Sequence, residues 1–197
     1  MIMNRIKNIS LCFRVIFQII LVALPVLLVI SWLFAPEPVM LLAGFIKLDA
    51  IPASYSGLHT YSAQAGAEPA IMHTLSLGEK SLGCLVSVIP MLIEMFVVYG
   101  LIKLFKRYEQ GSIFSLEHVK TIRNIGYALL LGQVIEPAYQ FAMGFVLTLK
   151  NPPGHHYAAI SLDQANIGIV LTALLAILIS WIMAEGYKLH EEQQLTV

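Results

Sequence analysis

Four runs of apolar residues, each long enough to cross a hydrocarbon layer, constrain this chain more than anything else in its sequence. A bilayer core is about 30 Å thick and a helix rises about 1.5 Å per residue, so roughly 20 apolar residues make one crossing. Residues 13–34, 82–104, 125–149 and 160–183 each reach that length. An unpaired backbone amide in hydrocarbon costs several kcal/mol, and none of the runs alternates polar with apolar residues as a barrel strand would, so all four are predicted to be helices. The expected fold is an all-α integral membrane protein, with residues 1–197 forming a single bundle of four transmembrane helices. With 58% of its residues hydrophobic and 12% charged, the chain has lipid rather than water as its expected solvent.

Charge next to the runs sets the predicted orientation. Arg5, Lys7, Arg14, Lys103, Lys106, Arg107, Lys120, Arg123 and Lys188 fall on one side of this layout, and Lys47, Lys80 and Lys150 on the other. Positive residues gather on the cytoplasmic face, so both termini are expected inside the cell. The first run is too long for a secretory signal and no A-x-A site follows it, so it is read as a retained span. The formal charge is balanced, which gives no global field for nucleic acid, and no direct nucleic-acid partner is predicted. Cys12 and Cys84 lie at opposite ends of their spans, too far apart for a disulfide, and no C-x-x-C is present.

The connections divide into an outer loop (35–81), a cytoplasmic loop (105–124) and a cytoplasmic tail (184–197). The outer loop is broken by Pro36, Pro38, Pro52, Gly57, Gly66, Pro69 and Gly78, and is predicted to be a structured or irregular cap. In the cytoplasmic loop Gly111 can follow the end of the second helix, while Ser115 can cap the third with Glu117 in its first turn. Lys103, Lys106, Arg107, Lys120 and Arg123 interleave there with Phe105, Tyr108, Ile113, Phe114, Leu116, Val119 and Ile122. Such a segment suits anionic lipid at headgroup level or a docked cytoplasmic partner. Gly168, Thr172, Ala176 and Ser180 form a small-residue stripe on the fourth run, a packing face for the bundle or for a homo-oligomer.

Two acids fall inside the predicted spans. Glu94 lies thirteen residues before Arg107 and Glu136 thirteen after Arg123, which puts both about 20 Å from the inner boundary. A charge near the bilayer centre costs at least about 2.5 kcal/mol, so an acid there is either functional or hydrogen-bonded as interhelical glue. Gln133, Glu136, Gln140 and Gly144 share one helix side, with Gln18 and Tyr99 as candidate partners, and Pro90 and Pro137 can free backbone carbonyls beside the acids. A small transporter or a proton- or cation-linked switch could use such a site. His155 and His156, with His59 and His73, are weak metal candidates because adjacent imidazoles point apart. No G-x-S-x-G, H-E-x-x-H or phosphate loop appears, so neither an enzyme nor a cofactor is expected.

The chain resembles a bacterial four-span membrane family, domain of unknown function 2975, in two blocks. Leu104-Phe105, Tyr108, Gly111, Ile113-Phe114, Val119, Ile122-Arg123 and Gly126 are similar to that family's L-F-x-x-Y-x-x-G-x-I-F loop and the helix start after it. Glu185-Gly186, Leu189, Glu191-Glu192 and Leu195-Thr196-Val197 look like its closing G-x-x-L-x-E-E-x-x-L-T-I, with Val197 replacing the usual isoleucine. The resemblance implies no reaction or cofactor. It does imply a membrane partner or sensor for a cytoplasmic helix-turn-helix regulator, held by the basic loop and the tail.

Overall fold

The computed structural model describes residues 2–34, 76–110, 115–150, 153 and 164–195. Among these it is all helical, with no strand: α1 (Ile2–Phe34), α2 (Leu77–Glu109), α3 (Leu116–Leu147) and α4 (Gln164–Leu195). Three of the helices are long and apolar enough to cross a membrane, over Lys7–Leu33, Leu77–Glu109 and Ala165–Leu189. The helix α3 is as long as its neighbours, but Gln133, Glu136 and Gln140 interrupt its apolar run.

The helices outrun the predicted spans, because a helix can continue past hydrocarbon into the headgroup layer. Residues 77–81, expected in the outer loop, are the first turn of α2. Their start is fixed by a capping box in which Ser76 N–H and Oγ–H both donate to Glu79 Oε2, at 2.7 and 2.8 Å. At the other end of α3, residues 148–150 form a turn where the span was expected to continue to 149. Thr148 N–H donates to the Gly144 carbonyl at 3.2 Å as the helix closes. Pro25, Pro90 and Pro137 all lie within unbroken helices. Most of the outer loop, Gly111, Ile113, Phe114, His59, His73, His155, His156 and residues 160–163 fall outside the described residues.

Large apolar side chains cover the helix surfaces. Ile19, Val22, Leu33, Val134, Ile167, Trp181 and Ile182 are all exposed, the reverse of a protein whose apolar residues hide from water. Such faces are made for contact with lipid.

The chain forms two compact units, one of 1–23, 93–133 and 164–197, the other of 24–92 and 134–163. In the first, α3 and α4 approach at Gly126, where a Cβ would lie 3.0 Å from the Ala173 carbonyl oxygen and 2.7 Å from Ile177 Cγ1. The α2–α3 approach at Gly100 is similar, with Ile125 Cγ1 2.8 Å from a Cβ built there. In the second unit Leu24, Leu28 and Trp32 recur every four residues along α1 and are buried, as are Tyr139, Met143 and Leu147 of α3. The Trp32 ring rests on the bare backbone of Gly83 in α2, and its Nε1–H donates to Ser87 Oγ at 3.3 Å.

Candidate functional site

The most elaborate arrangement of polar and aromatic side chains lies in the first unit, where α1, α2 and α3 meet beside the α2–α3 turn. Ser115 caps α3 as its position predicts. Its Oγ accepts the His118 backbone N–H at 3.3 Å and lies 2.9 Å from His118 Nδ1. Glu117, in the first turn where the helix dipole favours a carboxylate, forms an ion pair with Arg107 of α2. Arg107 also reaches Thr121 Oγ1, a long 3.5 Å contact, while the Thr121 hydroxyl donates to the Glu117 carbonyl at 2.8 Å.

On the α1 side Arg14 Nη1 lies 2.6 Å from Glu109 Oε2, each side chain about a quarter exposed. The contact is an ion pair by distance but lacks the angles of a hydrogen bond, leaving Arg14 Nε and Glu109 Oε2 buried without one. Aromatic rings join the three helices. Phe13 and Phe17 of α1 stack on Phe105 of α2 at centroid distances of 5.1 and 5.7 Å, Phe105 meets Tyr108 edge-on at 6.0 Å, and Tyr108 lies against His118 at 4.9 Å.

Magnitudes rank these contacts. Glu117 is largely exposed, so its pair with Arg107 contributes at most about 1 kcal/mol. Each ring pair adds about 0.5–1.5 kcal/mol beyond the area it buries, so the ring series holds this end more firmly than the exposed ion pair does. His118 is fully buried. Burial, and next the Arg107 guanidinium, hold its pKa below the ordinary histidine value, with Glu117 acting in the opposite sense.

The five basic residues singled out in the sequence play different parts. Arg107 is committed to Glu117 and Thr121, and Arg123 is half-buried. Lys103, Lys106 and Lys120 are exposed and contact no acid among the described residues.

The polar stripe of α3 divides between the two units. Gln133 belongs to the first, where Glu94 is half-buried and Gln18 and Tyr99 are exposed. In the second unit the buried Gln140 donates from Nε2 to Glu136 Oε1 at 3.0 Å, and the Gly144 carbonyl accepts from Thr148 Oγ1 at 2.8 Å. On α4 the small-residue stripe runs from exposed Gly168 and Thr172 through half-buried Ala176 to fully buried Ser180. The buried face of that helix carries Asn166, Ala173 and Ser180.

Sequence reasoning passed over three features. His118 sits three residues after the capping serine, and that spacing alone places it in the first turn of α3. The S-x-x-E at 76–79 is the signature of the capping box, whose nearly buried Glu79 also lies 3.6 Å from Lys150 Nζ. The Arg14–Glu109 pair joins distant segments and leaves no local signal.

A family model described as protein of unknown function (DUF2975) matches residues 60–197. The chain belongs to this family. The DUF2975 match takes in α2, α3 and α4, and with them the end of α2 that bears Lys103 and Lys106 and the start of α3 that bears His118 and Lys120, whereas α1 lies before it. No curated protein and no solved structure matches the chain.

Proposed function

We propose that this DUF2975 protein is a non-enzymatic, four-span bacterial inner-membrane protein, both ends cytoplasmic, whose α2–α3 turn docks a cytoplasmic partner in response to a signal. The observation that carries this reading is the division of labour among the basic residues. Arg14 and Arg107 are tied to acids within the cluster, which joins the end of α2 to α1 and to the start of α3, while Lys103, Lys106 and Lys120 are exposed and contact no acid among the described residues. A rigid platform with free charge is suited to docking, because little side-chain order has to be created when a partner arrives. The partner the family resemblance suggests is a helix-turn-helix regulator, an acidic face on it would complement the three lysines, and the tail beyond residue 184 belongs to the same docking region.

The test places a photo-crosslinking residue at Gln110 and compares the native chain with Lys103→Gln/Lys106→Gln/Lys120→Gln. Three exposed charge contacts at about 0.2–1 kcal/mol each predict a roughly threefold to hundredfold loss of crosslinked partner. Unchanged crosslinking at equal membrane levels would contradict the docking role.

A proton- or cation-linked switch through Glu94 and Glu136 is the other candidate. The Gln140–Glu136 hydrogen bond joins two residues of α3 and fits a structural role as well as a transport role, so it does not favour the switch. An unchanged response in Glu94→Gln/Glu136→Gln would remove that candidate altogether.

A further inference from the structure

His118 is a fully buried imidazole whose Nε2 has no hydrogen-bond partner among the described residues. Buried polar nitrogens are normally satisfied, so an orphan in the first turn of α3 calls for a physical account. Nδ1 is engaged by Ser115 Oγ at 2.9 Å, and the ring face is covered by Tyr108 at a centroid distance of 4.9 Å. Among the described residues, the charged and titratable groups facing the ring are Arg107 and Tyr108 from α2 and Glu117 from its own helix.

We propose that His118 is a proton-controlled latch: neutral, it seats the first turn of α3 against Tyr108 of α2, and on protonation it leaves that seat and frees the start of α3 from the end of α2. The neutral ring fits its surroundings, because with Nδ1–H donating to Ser115 the bare Nε2 lone pair is the cheaper orphan. Adding a proton changes the balance in three ways. It creates a buried N–H with no acceptor among the described residues, it puts a cation beside the Arg107 guanidinium, and it does so at the positive end of the α3 dipole. Only Glu117 opposes these, and it is exposed and already paired with Arg107. The direction of the His118 shift agrees with this geometry.

The sign follows from linkage. The folded site holds the proton less well than the open one, so the seated turn has its full stability above about pH 6.5 and loses it progressively as pH falls below that value. The inference rests on the docking reading only for its consequence, that acidification alters how Lys103, Lys106 and Lys120 are presented.

The test is amide hydrogen exchange over residues 116–122 in the full-length protein reconstituted in lipid vesicles, at about pH 7.5 and about pH 5.5, on either side of the histidine range. After correction for intrinsic rates, exchange in the native protein is expected to accelerate at the lower pH by up to about tenfold, the ceiling set by an open-state imidazole titrating near its ordinary value of about 6.5. His118→Asn keeps a group that can reach Ser115, His118→Phe keeps a ring on Tyr108, and neither titrates, so neither should accelerate. The latch is overturned if the native protein shows no acceleration, or if both variants accelerate as it does. Acceleration in the native protein alone, together with unchanged crosslinking in the triple lysine variant, would sink the docking role and leave the latch standing.

Discussion

Gly83→Ala is expected to unfold roughly 4–12 °C below the native protein, a cost of about 2–3 kcal/mol, in thermal scans of the purified protein in detergent. A methyl group at this position would lie 2.1 Å from Trp32 Cη2 and within 2.7 Å of two further ring atoms, far inside van der Waals contact. The ring has little freedom to yield, because Trp32 is almost fully buried and its Nε1 is held by Ser87. Replacing a helical glycine by alanine gains about 1 kcal/mol in propensity, which the clash outweighs. Gly186→Ala, with nothing within 4 Å of its added methyl, has the gain without the clash and should be neutral or slightly stabilising. In a Trp32→Leu background the cost of Gly83→Ala should largely vanish, since contacting residues are not additive. A full cost in that background would show that the glycine serves something other than the indole.

Gly126→Leu is expected to be the most damaging substitution in the other unit, lowering both the amount recovered from membranes and the unfolding midpoint. Here the obstacle includes the Ala173 carbonyl oxygen, 3.0 Å from where a Cβ would lie, and a helix backbone cannot rotate aside as a side chain can. Even Gly126→Ala should cost about 1–3 kcal/mol before its propensity gain. At Gly100 the neighbours are atoms of Ile125 alone, and at Gly132 the nearest is Ile93 Cγ2 at a comfortable 3.4 Å. The order of damage for alanine is therefore Gly126, Gly100, Gly132, with the last neutral or favourable. Thermal midpoints in the opposite order would mean that α3 and α4 approach each other less closely at Gly126 than these distances require.

The sequence made the helices legible because lipid leaves the backbone no alternative, and the cap at Ser115 followed from local chemistry. The family was legible in the loop and tail blocks, and the match over 60–197 bears it out. Contacts between distant segments were not legible. Phe13, Phe17, Phe105 and Tyr108 could be read individually as interfacial aromatics, but their stacking depends on how α1 lies against α2. The same holds for Arg14 and Glu109, and for Arg107, whose pairing with Glu117 joins α2 to α3. Glu94 and Glu136 illustrate a different limit. Their equal depth in the sequence could be counted, whereas the bond that Glu136 makes within its own helix depended on the side-chain arrangement.

The proposal on which the rest depends is that the chain crosses the membrane four times, with the α2–α3 connection and the tail inside the cell. It is tested most directly by replacing Cys12 and Cys84 with serine, introducing single cysteines at Gln110, Asn151 or Gln193, and treating intact cells with a membrane-impermeant maleimide. Four crossings predict labelling at position 151 alone until the membrane is permeabilised, when 110 and 193 become reactive. Labelling of 110 or 193 in intact cells, or recovery of the chain in the soluble fraction without detergent, would contradict it.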